Sequence, residues 1–396
     1  MPAVLSSSIP RGLSVLAHAG PIRAAETPHL LAYLATVGDP RTRAGRRHPL
    51  VAILAIAACA VLTGARSIAA IAEWATDADQ QIRATLGAHR DALTGCWAVP
   101  TETTIRRTLA RLDPEALAGV IGAWLADRDR PDQGRRRAVA VDGKTVRGAR
   151  RDHGRVHLLA VMDHVTRAVL AQRDVDAKTN EITGFRPLLA GLDLAGVVVT
   201  ADALHTQRDH ADFLVAGKHA HYLFIVKANQ PDLLDRCARL AWHNVPVLDR
   251  TRDRGHGRVE LRTLKAVTVA GFGFPHAAQI IQVTGKVRDL HTRRWRTVTV
   301  YAVTSLSHQQ AGPARLADLL RGHWAIENGL HWIRDVTFGE DASQIRTGTG
   351  PQVMACLRNL VIGALSRAGP VTTAAALRHH SRDPSRPLAT LGITHG

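Results

Sequence analysis

Two short apolar runs in this chain each end on an aspartate. Arg137-Ala138-Val139-Ala140-Val141 leads into Asp142, and Val197-Val198-Val199-Thr200-Ala201 leads into Asp202. Small and β-branched residues in runs of this length read as buried strands. A carboxylate at the end of a buried strand is held rigidly and faces solvent at the sheet edge. Two such ends predict an α/β sheet with both acids at its rim. A third acid, Glu327, lies in the helical pattern His323-Trp324-Ala325-Ile326-Glu327-Asn328.

The neighbouring segments fill in that sheet. Strand patterns cover 138–142, 156–163 and 167–174, and Asp163-His164-Val165-Thr166 reads as a hairpin turn. A helix over 183–192, a strand at 197–201, a helix at 207–217 and a strand at 222–227 follow. That order predicts a mixed α/β sheet. Residues 250–305 read as a β-rich insertion in the same domain, through Val259-x-Leu261-x-Thr263, Gln279–Val287 and Trp295–Thr304. Helical periodicity returns from Pro313 to Thr337, and again over Val353, Leu357, Leu360, Val361 and Leu365.

Upstream the texture is different. Residues 1–27 are rich in Pro, Ser, Gly and Ala and are expected to form a loose arm. Residues 28–129 carry helical patterns and are expected to be a separate helical domain. The polar stretch from Arg128 to Arg137 is turn-rich and marks the boundary. A mixed α/β domain is then expected over 130–368, with a mobile tail over 369–396. Within the helical domain, Thr101 is a plausible cap for a helix that buries Ile105, Leu109 and Leu112 and presents Arg106, Arg107 and Arg111. Such a helix fits a DNA groove, and fits equally a solvated basic face.

Charge narrows the partner. Fifty-one Lys and Arg stand against 34 Asp and Glu, for a net charge of +17, and only six of the 51 are lysines. Arginine forks bind phosphate oxygens bidentately at any working pH. The excess of base over acid points to nucleic acid. The four cysteines have no paired spacing, so neither a zinc knuckle nor a disulfide framework is indicated, and a reducing cytoplasm fits. The longest apolar run, Leu50 to Leu62, is too short to span a bilayer, and no secretory signal or membrane association is expected.

Each acid also has a plainer reading. Asp142 precedes Gly143, a common turn dipeptide. Asp202 could cap the segment after it. Glu327 could pair with Arg334, which shares a helix face with His323, Glu327 and His331. Zinc held by His323, Glu327 and His331 is a rival, but it leaves both aspartates unexplained and lacks the His-Glu-x-x-His spacing. Asp-Gly-Lys-Thr lacks the upstream glycine of a phosphate-binding loop, and there is no Gly-x-Ser-x-Gly elbow. Three carboxylates without a nucleophilic serine or cysteine suit two Mg²⁺ ions, with Mn²⁺ as a substitute, acting on a phosphodiester. Lys144, Arg147, Arg150 and Arg151 lie close enough in sequence to Asp142 to grip phosphates beside such ions. Asn180, Glu181, Lys227, Asn229 and Gln230 are expected at the rim of the site.

These stretches resemble a known family. Ala140-Val-Asp-Gly-Lys-Thr-Val-Arg-Gly148, Lys178-Thr-Asn-Glu-Ile182, Val199-Thr-Ala-Asp-Ala-Leu-His-Thr-Gln207, Tyr222-Leu-Phe-Ile-Val-Lys-Ala-Asn-Gln230 and His323-Trp-Ala-Ile-Glu-Asn-Gly-Leu-His-Trp332 are similar to those of bacterial insertion-sequence transposases of the DDE class with a β-rich insertion. The group that includes the H-repeat-associated proteins is the nearest resemblance, from about residue 28 to about residue 368. The resemblance implies a ribonuclease-H-like catalytic domain with Asp142, Asp202 and Glu327 as its metal-binding triad. It implies cleavage at the element's terminal repeats and strand transfer into target DNA, by a homodimer on double-stranded DNA. It also implies that the 28–129 region binds element ends. In related transposases the glutamate helix carries a Tyr, Arg, Glu, Lys signature. The corresponding positions here are Leu320, His323, Glu327 and Arg334. Arg321 is the candidate substitute for the missing arginine. Lys144, Arg147, Arg106, Arg107, Arg321 and Arg334 are the expected DNA contacts.

Overall fold

The computed structural model describes residues 29–43, 46–128, 136–151, 154–175, 181–255, 258–289, 291–367 and 372–393. The expected arm over 1–27, most of the 128–137 linker and Asn180 lie outside the described residues. The N-terminal part is helical: α1 Leu30–Leu34, α2 Leu50–Leu62, α3 Ile68–Asp77, α4 Gln80–Thr85, α5 Glu102–Leu109 and α6 Pro114–Asp127. A two-residue ribbon, β1 His89–Arg90 with β2 Trp97–Ala98, separates α4 from α5. Four of these helices start on side-chain caps: Ser67, Asp79, Thr101 and Asp113 each accept a backbone N–H of the first turn. Pro114 sits at the helix start, where its missing N–H costs nothing. The cap read at Thr101 is present, Ile105, Leu109 and Leu112 are buried, and Arg106, Arg107 and Arg111 are exposed.

One sheet of nine strands follows. Its strands are β3 Ala138–Arg151, β4 Gly154–Asp163, β5 Val169–Val175, β6 Val198–Ala201, β7 His221–Val226, β8 Asp249–Gly255, β9 Arg258–Thr268, β10 Gln279–Asp289 and β11 Trp295–Thr304. Their spatial order is β5-β4-β3-β6-β7-β11-β10-β9-β8. The pairs β3·β6 and β6·β7 are parallel, and the others are antiparallel. The β-rich stretch therefore extends the sheet directly: β11 pairs with β7 from Tyr301↔Val226 to Thr304↔Leu223. The helices interleaved with it are α7 Glu181–Ala190, α8 Arg208–Asp212, α9 Pro231–Ala238, α10 Pro313–Ile326, α11 Gly350–Ser366, α12 Thr373–His380 and α13 Arg386–Thr390. The short strand-to-helix joins are ordinary for such a sheet.

The helical part shares its core with the sheet. Gly122 of α6 lies so close to β5 that a Cβ there would stand 2.1 Å from the Leu170 carbonyl oxygen. Any side chain at 122 would force the helix off the strand. α11 is buried from Gly350 to Leu365, between the sheet and α2. Each fully buried leucine on it contributes about 1.5–3 kcal/mol of transfer free energy. A single cluster of buried side chains runs from Leu30 through α2, α6, β3, β6 and α11 to Ile393. The boundary read from the polar linker is thus no break in the core.

The C-terminal stretch departs from expectation as well. Thr372 caps α12, and Ala375, Ala376, Leu377, Leu388, Leu391 and Ile393 are buried. Its His, Arg and Pro content concealed a short apolar face, and the described part of the tail is folded against the core. Among the described residues no helix is long and apolar enough to cross a membrane.

Candidate active site

The two strand-end aspartates are brought together by register. In the parallel pair β3·β6, Val141 lies opposite Ala201. The next residues, Asp142 on β3 and Asp202 just past the end of β6, therefore follow neighbouring positions of adjacent strands, which in a sheet lie about 4.8 Å apart. Asp142 Oδ1 accepts the N–H of Gly143 at 2.8 Å. Asp202 Oδ1 accepts the N–H of Leu204 at 3.0 Å and caps a 3₁₀ turn over Ala203–His205. The capping reading of Asp202 holds, and it fixes the carboxylate without using its second oxygen.

Glu327 comes from the chain just past α10. α10 ends at Ile326, and the chain continues as two π-helical turns, Glu327–His331 and Ile333–Thr337. Single π turns inside helices concentrate at functional sites. Glu327 is exposed. His331 comes back toward the strands, with Nδ1 3.6 Å from Asp142 Oδ2. Burial, with the positive charges of Arg334 and Lys144 nearby, pushes the His331 pKa down to about 3. That contact is therefore between a neutral imidazole and the aspartate, not an ion pair.

The electrostatics join the three acids. Burial pushes the Asp142 carboxyl up to about 7, and the charges of Asp202, Glu181 and Glu327 push in the same direction against the N–H of Gly143. Four carboxylates thus share one field. Clustered like charges of this kind are relieved by a cation.

Glu181 was expected at the rim and is instead buried behind the site. Its Oε1 lies 2.7 Å from His157 Nε2 and its Oε2 lies 3.3 Å from His205 Nε2. The first contact is a good hydrogen bond. The second is close in distance but poorly aligned, and His205 Nε2 has no satisfactory hydrogen-bond partner. Burial favours the neutral acid, yet the two histidines outweigh it and hold the Glu181 pKa down to about 2. Nothing local in the sequence marks Glu181 as buried. Its two histidines are 24 residues apart from it in each direction.

The donor set fits divalent metal. Asp142, Asp202 and Glu327 offer only hard oxygen ligands, which Mg²⁺ and Mn²⁺ prefer. Among the described residues no three His, Cys, Asp or Glu side chains stand close enough to share one ion. The three acids act on one another through their charges without being drawn up in ligand geometry.

Comparison with known proteins places the chain in a family. Residues 133–363 match the family model described as "Transposase DDE domain", and residues 31–125 match the one described as "DDE_Tnp_1-associated". The chain belongs to the DDE transposase family. It is 27% identical over 359 residues to the "H repeat-associated putative transposase YhhI" of Escherichia coli (strain K12), covering 86% of this chain and 91% of that one. It is 27% identical over 350 residues to the "Putative transposase YncI" of Escherichia coli O157:H7, covering 85% and 87%. It is 33% identical over 252 residues to an "Uncharacterized protein in dhlA 3'region" of Xanthobacter autotrophicus, covering 61% and 81%. A solved piggyBac transposase synaptic complex with hairpin DNA overlays at a TM-score of 0.42 and 10% identity over 98% of this chain and 83% of that one. That likeness is too loose to define the fold.

Several basic residues of this DDE transposase chain do not sit where DNA contacts were expected. Arg334 is fully buried, with Nε 3.1 and 2.9 Å from the two oxygens of Glu340. Arg358 Nη1 takes the same carboxylate at 2.7 Å. Arg334 is an internal ion-pair residue and is closed to phosphate. It also has no contact with Glu327 of the kind the plainer reading supposed. Lys144 is buried too, with Nζ 2.6 and 2.7 Å from the oxygens of Asp335. Both were read as phosphate contacts because charge in a sequence reads as exposure; here each has a carboxylate partner. Arg321 bonds Asp318 at 2.6 Å and points toward Asp249 of β8. Arg147 is open, although Asp341 is 3.6 Å from its Nε. Arg106 is exposed and paired with Glu102 one turn earlier, and Arg107 is exposed. Of the rim residues, Asn229 donates to the Ala203 carbonyl and Gln230 to Gln207, so both brace the turn that follows Asp202.

Proposed function

We propose that this chain is an active DNA transposase whose catalytic acids are Asp142, Asp202 and Glu327. The observation that carries this reading is the register of β3 against β6, which brings the two aspartates from neighbouring positions of adjacent strands into one field with Glu327. Three antiparallel strands followed by two parallel ones, with helices between, are read as a ribonuclease-H-like core. Asp142, Asp202 and Glu327 would hold two Mg²⁺ ions, which Mn²⁺ replaces. Those ions supply charge neutralisation at the phosphate and lower the pKa of the attacking oxygen. The protein's own part is placement. Strand ends hold the two aspartates, and the π turn after α10 carries Glu327.

The reaction is cleavage at the element ends, followed by attack of the freed 3′-hydroxyl on target DNA. Arg147 and the exposed arginines of α5, Arg106 and Arg107, are the phosphate contacts this reading keeps from the sequence. The helical region over 28–129 binds the element ends, and the chain acts as a homodimer because two ends must be joined. Its place is the bacterial cytoplasm, on the nucleoid.

A supercoiled-plasmid assay tests this. The substrate carries the flanking terminal repeats, with Mg²⁺ or Mn²⁺, and wild type is compared with Asp202→Asn. Metal-dependent end cleavage with joining, lost in the variant, is the expected result. Cleavage without joining leaves a nuclease that no longer transposes. Binding without cleavage in either protein sinks the enzymatic reading.

A further inference from the structure

We propose that Glu181 is a positioning residue that fixes the spacing of Asp142 and Asp202 from the opposite face of the sheet. This rests on the reading of those aspartates as the metal-holding acids. Side chains alternate along a strand. Asp142 and Lys144 therefore face the π turns after α10, as the Lys144–Asp335 contact shows. Gly143 and Thr145 face the other way, toward α7 and Glu181.

On that second face one carboxylate reaches both aspartate-bearing segments. His157, bonded to Glu181 at 2.7 Å, also bonds Thr145 Oγ1 at 2.8 Å through Nδ1. The tautomer that satisfies both has His157 donating to Glu181 and accepting from Thr145. Thr145 lies three residues past Asp142. On the other side His205, 3.3 Å from Glu181, closes the 3₁₀ turn that Asp202 caps. It lies three residues past Asp202. Glu181, His157 and His205 are all but fully buried.

Gly143 belongs to the same device. A Cβ at 143 would stand 2.5 Å from the Glu181 carboxyl carbon and 2.6 Å from each oxygen. The carboxylate is seated against the backbone next to Asp142, in space that only glycine leaves open. A buried carboxylate is costly and leaves little slack in its partners. An apolar side chain would fill this place more cheaply, but it would not tie the end of β3 to the turn after β6. No three of these groups are placed to hold a metal ion of their own. Their effect on the site goes through Asp142 and Asp202, as outer partners orient the ligands of other metal centres.

The test uses the full chain and Mn²⁺ alone as the first probe. Mn²⁺ affinity is measured by calorimetry, and plasmid cleavage is followed against Mn²⁺ concentration, for wild type, Asp142→Asn and Glu181→Gln. Asp142→Asn sets the reference. If it binds Mn²⁺ like wild type, the reading of the site fails, and the proposal falls with it. With that reference lost as expected, Glu181→Gln should keep duplex binding and bind Mn²⁺ about 10- to 100-fold more weakly. Its cleavage should half-saturate at correspondingly higher Mn²⁺, and its rate at saturating metal should stay within several-fold of wild type. A lower melting temperature with unchanged Mn²⁺ affinity makes Glu181 a purely structural residue and overturns the proposal. If Glu181→Gln does not fold, His205→Gln and Gly143→Ala disturb the clamp from either side. Wild-type Mn²⁺ affinity in both overturns it equally.

Discussion

Lys144 Nζ lies 2.6 and 2.7 Å from the two carboxylate oxygens of Asp335, 191 residues away in the chain. The pair ties the strand just past Asp142 to the π turns just past Glu327. It is a strap between two of the three proposed catalytic acids. Lys144 is buried and Asp335 is partly open, so the pair is screened on one side only. Lys144→Met should destabilise the fold by about 1–3 kcal/mol, read by urea denaturation. Asp335→Asn should fall at the lower end, because water can reach the site it leaves. Neither change should alter the salt dependence of duplex binding. A shallower salt slope for Lys144→Met would return Lys144 to the phosphate contacts.

Asp142 makes stability depend on pH. Its carboxyl is raised from the ordinary 3.8 to about 7. The folded protein then binds a proton that the unfolded chain has already lost. The stabilisation from that proton is fully present below pH 3.8 and is lost as pH rises through about 7. Metal-free protein should lose up to about 4 kcal/mol across that window from this group. Asp142→Asn should remove the slope and melt higher than wild type at pH 8. Mn²⁺ at pH 8 should raise the wild-type melting temperature and leave that of the variant unchanged. Parallel melting curves against pH for the two proteins would contradict the assignment.

Arg334, Glu340 and Arg358 form a closed buried network under the same helix. Burial favours the neutral acid, but the two guanidinium groups outweigh it and hold the Glu340 pKa down to about 2. The pairing is strong because all three are desolvated together. Arg334→Met should cost about 3–5 kcal/mol, since it leaves Glu340 half-partnered in the core. Arg334→Lys should recover little, because a point charge cannot reproduce the fork that meets both oxygens. Denaturation midpoints of the three proteins decide this. A stable Arg334→Met variant with weakened DNA binding would put the guanidinium outside the core.

The sequence made some of this legible and hid the rest for physical reasons. The strand-end aspartates were readable because strand period and terminal residue are both local. Their adjacency follows from one parallel pairing. Glu181 was not readable as a buried residue, because its partners His157 and His205 come from other elements. Lys144 and Arg334 looked like surface charge, since their partners are set by folding. The π turns at Glu327 follow a period that a 3.6-residue reading cannot register, so the glutamate was placed within a regular helix when it begins a π turn and is exposed. The 372–393 stretch was misread on composition, although Thr372 and the Ala375-Ala376-Leu377 run carry a cap and an apolar face.

The outer half of the β-rich extension carries a concentration of exposed positive charge that the motif reading did not single out. Lys286 on β10 lies opposite Thr297 on β11, and Arg288 lies opposite Trp295. Lys286, Arg293, Arg294 and Arg296 are exposed, and Trp295 is half exposed with the Arg288 guanidinium 5.9 Å from its ring centre. On the neighbouring strands Arg252, Arg254 and Arg258 are exposed as well. A twisted ribbon with this much positive charge suits a phosphate backbone. Each phosphate contact removed should lower the slope of log K against log salt by about 0.9. Arg294→Ala with Arg296→Ala should therefore flatten that slope by about 2, weakening binding to duplexes of any sequence alike. The same double change should leave the melting temperature and the Mn²⁺ affinity of the carboxylate site untouched. Fluorescence anisotropy on a random duplex across a range of salt concentrations reads this directly. An unchanged slope would take the ribbon out of the DNA interface and leave the helical region to carry the binding alone.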